Sequence, residues 1–381
     1  VIYLDNAATT PVRREVLEAI WPLLTTGFGN PSSHHRVGEA AAAALADARA
    51  TVAAVLGCRP AEVLFTSGGT ESDNLAIKGI ALAAPRGRHL IISAVEHEAV
   101  LESCDYLHRL HGFDVTLLPV DAQGLVDPAD LARALTPATT LVSVQYANNE
   151  VGTVQPIRDL SALARAQGVP FHTDAVQAAG WLPLSVADLG VDALSISGHK
   201  LGAPQGTGAL FLRRRVPLEP VQHGGGQERG NRSGTENVAG AVALATALRL
   251  AETERASNAP RVAALRDTFI AEVLGAAPGA RLTGHPLQRL PGTASFVFPG
   301  TSGEAVLLEL EGHGIVCSSG SACAAGSDEP SPTLTAMGLP AEVAQTAVRF
   351  TLASSTTGAE LSETARAAGL AVATIRGLGR R

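Results

Sequence analysis

One pattern constrains this chain more than any other: seven apolar runs of five or six residues, most of them leading into a helical stretch. The runs are Glu62–Thr66, His89–Ser93, Val115–Val120, Leu141–Tyr146, Val169–Thr173, Ala193–Ser197 and Gly208–Leu212. Helical patterning falls at 39–56, 70–84, 98–111, 128–135 and 157–167. Strands that alternate with helices select an α/β fold with a mostly parallel sheet. In such a sheet, ligands gather at the carboxyl ends of the strands. After a helix at 236–254, and beyond about residue 256, the texture changes to a smaller α+β unit. It carries helices at 259–275, 303–312 and 361–370, and strand-like Ala294–Phe298 and Thr346–Leu352.

Composition removes several function classes. The net charge is −7 with no basic block, which argues against a nucleic-acid binder. No uncharged apolar run approaches the ~18 residues of a membrane span, and no signal peptide is expected. Four cysteines, Cys58, Cys104, Cys317 and Cys323, are too few for a disulfide scaffold and lack zinc spacing. A cytoplasmic setting is the expectation. Of 29 basic residues only Lys78 and Lys200 are lysines, and arginine cannot replace an amine nucleophile.

Polar groups collect where the strands end. Ser67-Gly68-Gly69-Thr70 follows a strand and opens a helix. Its amides and the Thr70 hydroxyl suit an anion, although an ordinary turn capped by Thr70 would read the same. Ser197-Gly198-His199-Lys200 ends another strand, and Ser197 and His199 can both donate beside Lys200. Lys78 reads as a solvated helix position. Asp174 also ends a strand, where an aspartate binds a metal, caps a helix or meets the ring nitrogen of a cofactor. His97 is the fourth strand-end polar group. Cys323 sits among small residues in Cys317-Ser318-Ser319-Gly320-Ser321-Ala322-Cys323-Ala324-Ala325-Gly326, a setting for an exposed, reactive thiol. Cys317 ends an apolar run and reads as core.

Further motifs complete the set: Tyr3-Leu4-Asp5-Asn6-Ala7-Ala8-Thr9-Thr10, Gly29-Asn30-Pro31-Ser32-Ser33, Asn148-Asn149-Glu150-Val151-Gly152, Asp174-Ala175-Val176-Gln177, Arg229-Gly230-Asn231-Arg232-Ser233-Gly234-Thr235 and Val348-Arg349-Phe350. In this order they resemble, end to end, the NifS/IscS-type cysteine desulfurases. These are pyridoxal 5′-phosphate (PLP) enzymes of the class V aminotransferase group, fold type I.

The resemblance implies a large domain over 14–255 with a mostly parallel seven-stranded sheet. It implies a smaller α+β domain from 1–13 and 256–381. It makes Lys200 the lysine that holds PLP, Asp174 the carboxylate at the pyridine nitrogen, His97 the imidazole on the ring face and Gln177 the donor to the phenolic oxygen. Gly69, Thr70, Ser197 and His199 would cradle the phosphate, with Thr235 supplied by the other subunit of a homodimer. Asn149 and Arg349 would hold the substrate carboxylate. L-cysteine would yield L-alanine and a persulfide on Cys323. The sulfur would pass to an acceptor protein, an iron–sulfur scaffold or a tRNA-thiolation protein. No dedicated metal site is implied, beyond a transient iron–sulfur cluster on Cys323. The small-residue loop resembles the long-loop group, with Cys323 carried away from the PLP at rest. Ala324-Ala325-Gly326 and Leu201–Gln205 depart from the usual pattern. Another PLP reaction on the same fold, such as that of a selenocysteine lyase or an aminotransferase, is the rival reading, and Cys323 favours desulfuration over it. A non-catalytic relay partner would need none of Lys200, Asp174, His97 and Cys323.

Overall fold

The computed structural model describes residues 1–319 and 329–378. The chain opens with a short strand, β1 (Ile2–Tyr3), and two helices, α1 (Arg14–Thr25) and α2 (Arg36–Leu56). All seven expected strands then form: β2 (Val63–Thr66), β3 (His89–Ser93), β4 (Asp114–Leu118), β5 (Thr139–Ser143), β6 (Phe171–Asp174), β7 (Ala193–Ser197) and β8 (Gly208–Leu212). They make one sheet in the order β2-β8-β7-β6-β5-β3-β4. β8 is antiparallel to both neighbours, and the remaining pairs are parallel. The carboxyl ends of β3, β6 and β7 therefore lie on one edge, where His97, Asp174 and Lys200 are found.

The intervening helices are α3 (Gly69–Ala83), α4 (Glu98–His111), α5 (Pro128–Ala134), α6 (Ile157–Ala166) and α7 (Val186–Leu189). Buried aliphatic residues such as Ile91, Val142, Val144 and Leu194 fill one side of the sheet, and Leu90, Ile92, Leu141 and Leu210 fill the other. This two-sided burial explains why the strands read as continuous apolar runs rather than alternating ones.

Two readings need correction. The helices expected at 236–254 and 259–275 are one helix, α8 (Val238–Ala276), with Pro260 inside it. A proline removes one helical hydrogen bond. Packing offsets that loss on both sides, through Leu244, Ala247 and Leu248 before the proline and Val262, Phe269 and Val273 after it. Lys78 is not simply solvated, because its ammonium lies 4.3 Å from the Tyr106 ring centroid and burial lowers its pKa. Helix α1 has no counterpart among the expected elements.

After α8 come β9 (Arg281–Leu282), β10 (Thr293–Val297), α9 (Gly303–Gly312), β11 (Ile315–Val316), α10 (Pro332–Ala336), α11 (Ala341–Ala344), β12 (Ala347–Thr351) and α12 (Gly358–Leu378). A three-stranded antiparallel sheet runs β12-β10-β9. Phe269, Phe296 and Phe350 meet edge to face beneath it, at 5.3–6.2 Å between centroids. Leu4 joins this same cluster, and β1 pairs with β11. The amino-terminal segment thus reaches the later part of the chain before Asn6–Thr10 passes Lys200. Among the described residues, no helix is long and apolar enough to cross a membrane.

Candidate active site

A cavity of about 500 Å³ lies at the carboxyl edge of the large sheet. Its wall includes Gly69, Thr70, His97, Asn149, Asp174 and Gln177, together with Ser197, His199, Lys200 and Arg349. Ten of the twelve expected site residues therefore share one space. Thr235 does not: it is exposed and lines a separate cavity of about 220 Å³ with Thr66, Ser67 and Gly208. Cys323, and the expectation that its loop sits far from Lys200, lie outside the described residues.

The sequence sets each position locally. Helix α3 starts at Gly69 with Gly68 as N-cap, so Thr70 does not cap it. First-turn amides have no partner within a helix and attract anions, and α3 presents that end to the cavity. A methyl group on Gly69 would come within 2.7 Å of Val176, and one on Gly208 within 2.6–2.7 Å of Gly68 backbone atoms. The turn is therefore packed as tightly as glycine allows. His97 caps α4, its Nδ1 accepting from the Ala99 amide at 3.1 Å, which fixes the ring. Asp174 accepts from the Val176 amide at 2.8 Å through Oδ1. The backbone turns directly after Asp174, so the carboxylate closes a turn rather than opening a helix.

Lys200 Nζ donates to the carbonyls of Ala7 and Ala8, the second at 2.7 Å. Gln177 Nε2 donates to the Ala7 carbonyl at 3.1 Å. His199 meets Thr9 Oγ1 at 3.2 Å, and burial followed by the charge of Lys200 pushes its pKa down to about 4. His199 is thus a neutral imidazole at physiological pH. Arg349, buried at 2% exposure, donates to Asp5 Oδ1 at 2.8 Å and to the Asn149 carbonyl at 2.9 Å. Its guanidinium is held at the cavity from β12. Asn148 is structural: it holds the Val95 carbonyl and the amides of Glu150 and Val151.

One described flank of the Cys323 segment pairs with a residue of this cavity, and the other lines it. Ser318 pairs with Arg349 backbone to backbone, its amide 3.1 Å from the Arg349 carbonyl. On the far side Glu329, Pro330, Pro332 and Thr333 line the cavity, and Ser331 donates to Glu150 at 2.5 Å. Burial disfavours the thiolate form of the other three cysteines. Burial raises Cys58 and Cys104 to about 12 and Cys317 further still.

The reading from sequence missed three buried groups: Asp73 and Glu96 in the cavity wall and His172 behind it. Asp73 lies on the core-facing stripe of α3 with Ala76 and Ile80. A charge on an apolar stripe was the available signal.

The donor set fits PLP. A helix N-terminus with hydroxyls suits the phosphate, a strand-end carboxylate suits a protonated ring nitrogen, and a lysine suits the aldehyde. The aminotransferase class-V family model matches residues 2–363. The chain is 48% identical over 364 residues to cysteine desulfurase IscS of Dictyoglomus turgidum, covering 95% of this chain and 92% of the relative. The chain belongs to the cysteine desulfurases of the class-V aminotransferase family. It is a PLP-dependent enzyme of fold type I. A solved NifS-like protein is similar with a TM-score of 0.91 and 37% identity, covering 98% of this chain and 99% of that one. The structure of SspA in complex with cysteine gives 0.80 and 37%, over 92% and 99%. Cysteine desulfurases take sulfur from L-cysteine and pass it to acceptor proteins.

Proposed function

We propose that this desulfurase takes sulfur from L-cysteine onto Cys323, releases L-alanine and delivers the persulfide to an acceptor serving iron–sulfur cluster assembly or tRNA thiolation. When bound, PLP supplies the electron sink that loosens the substrate's bond to sulfur. The chain's own residues do the rest. Gly69, Thr70, Ser197 and His199 bind the phosphate. Asp174 holds negative charge at the ring nitrogen, His97 covers the ring face and Gln177 donates to the phenolic oxygen. Arg349 and Asn149 hold the substrate carboxylate, which a guanidinium fork matches in shape. The Lys200 amine moves the proton at the substrate Cα.

The Cys323 thiolate attacks the substrate sulfur. A sulfur–sulfur bond forms, the Cβ–sulfur bond breaks, and the released carbon takes a proton. The balance is one Cys323 thiol and one L-cysteine giving one Cys323 persulfide and one L-alanine.

The observation that carries this reading is the position of Glu329 at the cavity that holds Lys200 and Arg349, and of Ser318 on the Arg349 backbone. Cys323 is tethered between these two points. A span of about 3.5 Å per extended residue lets it reach the substrate and also leave it. Its solved relative SspA, crystallised with cysteine, supports the substrate. We further infer a large domain over 14–255, a small one from 1–13 and 256–381, a cytoplasmic setting and a homodimer. Support for the dimer comes from Thr235, exposed outside its own subunit's site, and from the exposed apolar stripe of Leu17, Trp21 and Leu24 on α1. The test is mass spectrometry of peptides after one turnover with L-cysteine and alkylation. The reading requires an added sulfur on the Cys323 peptide that a reductant removes. Sulfur on another cysteine would contradict it.

A further inference from the structure

Beneath the cavity, the interface between α3 and the large sheet is polar where such interfaces are normally apolar. Helix α3 crosses β5 to β8. In the sheet Ser143 is the register partner of His172, and Asp174 that of Ser195. His172 and Asp174 are two apart on β6, so all four side chains point to one face. His172 bridges Ser143 and Ser195 through its two ring nitrogens, at 2.8 and 2.9 Å. Asp73 descends from α3 onto this row, its Oδ1 3.6 Å from His172 Nε2. It is 1% exposed, and that oxygen has no hydrogen-bond partner. Glu96 is 5% exposed, also lines the cavity, and has an unpartnered Oε2.

Three buried carboxyl groups thus share one wall. Three negative charges there would be prohibitively costly without cations to match. The cations face only one of the three. Burial raises the Asp174 carboxyl, and His97, the Val176 amide and Lys200 pull it back toward the ionised form. Burial, followed by the charges of Asp174 and Glu96, pushes the Asp73 carboxyl well up against a hydrogen bond from Ser195, and His172 lies on its other side. His172 is a poor cation for it, because both nitrogens already bond to hydroxyls and burial favours the neutral ring, pushing its pKa down to about 3.

We propose that Asp73 stays a protonated acid beneath Asp174 and leaves Asp174 as the sole negative charge under the ring nitrogen. This inference rests on the PLP site proposed above. A carboxylate that shares its wall with a neutral acid keeps its pull on the ring nitrogen, whereas two carboxylates side by side would compete for one proton. The groups that face Asp73 are Ser195, His172 and Asp174 from the sheet and Glu96 from the β3–α4 turn.

Infrared spectroscopy reads this directly, since a protonated carboxyl has a carbonyl stretch that a carboxylate lacks. The sample is the PLP-loaded enzyme, with the cofactor-free protein beside it, near neutral pH. We expect a protonated-carboxyl band in both forms that moves when aspartate is labelled with carbon-13. A second band, from Glu96, should ignore that label and vanish in Glu96→Gln. Asp73→Asn, which swaps a neutral acid for a neutral amide, should delete the aspartate band. It should leave the PLP dissociation constant within about twofold and the visible pH profile of the bound cofactor in place. No aspartate band in the unsubstituted protein would overturn the proposal without need of a variant. So would a band that survives Asp73→Asn, or a shift of about one pH unit in the cofactor's profile. None of these readings requires turnover, so they stay separable from a failure of the desulfurase reaction itself.

Discussion

Glu96 uses Oε1 fully, accepting from the Ser93 hydroxyl and the Gln145 amide, while Oε2 faces buried space. Burial pushes its carboxyl up from 4.5 to about 8. The native state therefore keeps a proton that the unfolded chain loses near 4.5. Its contribution to stability is complete below about pH 4.5 and is lost as pH rises toward about 8. Glutamine keeps the Oε1 acceptor and cannot ionise. Thermal melts of Glu96→Gln should match the parent at about pH 5 and exceed it at about pH 8. His172 works in the opposite direction. Its depressed pKa makes stability fall as pH drops from about 6.5 toward 3. At the same scale, Arg349→Lys loses the fork that already grips Asp5 and the Asn149 carbonyl. A hydrogen bond to a charged group is worth about 1.5–3 kcal/mol, so KM for cysteine should rise about 10- to 100-fold. An unchanged KM in steady-state kinetics would remove Arg349 from the substrate site.

The phosphate cradle is built by elements rather than by single side chains. β8 runs antiparallel beside β2, and this brings Gly208 against the Gly68–Gly69 turn. Gly208→Ala would push a methyl group onto rigid backbone. The expected cost is about 1–3 kcal/mol of stability, seen in denaturant titration, together with weaker PLP binding. Stability and affinity both unchanged would show that the turn has slack. This scale also shows what the sequence made legible. Seven strands were readable because two-sided burial leaves them as plain apolar runs. The strand-end residues Asp174, His97 and Lys200 were readable because parallel topology sends every such end to one edge. The continuity of α8 was not readable, since Pro260 is a local signal and the packing that overrides it is tertiary. Helix α1 was missed because it buries little, only Val16 and Ile20. Asp73 was missed because a lone carboxylate on a helix reads as surface until the opposite sheet face is known.

At the scale of the whole molecule, the amino-terminal segment ties the two ends of the chain to the site. Leu4 packs with Phe296 and Phe350, Asn6 donates to the Thr351 carbonyl at 2.7 Å, and Arg13 donates to Glu254. Between them, Ala7 and Ala8 touch Lys200. The proposed homodimer can be tested at Thr235. If one subunit lends it to the other, mixing Lys200→Ala with Thr235→Ala subunits rebuilds one intact site per mixed dimer. PLP affinity of the Thr235→Ala subunit should then recover on mixing, and no recovery would place Thr235 elsewhere. The central claim is sulfur transfer through Cys323. The measurement is alanine and sulfide formed from L-cysteine with a reductant present, parent against Cys323→Ala, with the PLP colour monitored in both. The account predicts equal alanine and sulfide from the parent, and loss of both in the variant with the colour intact. Undiminished sulfide release from Cys323→Ala would contradict it.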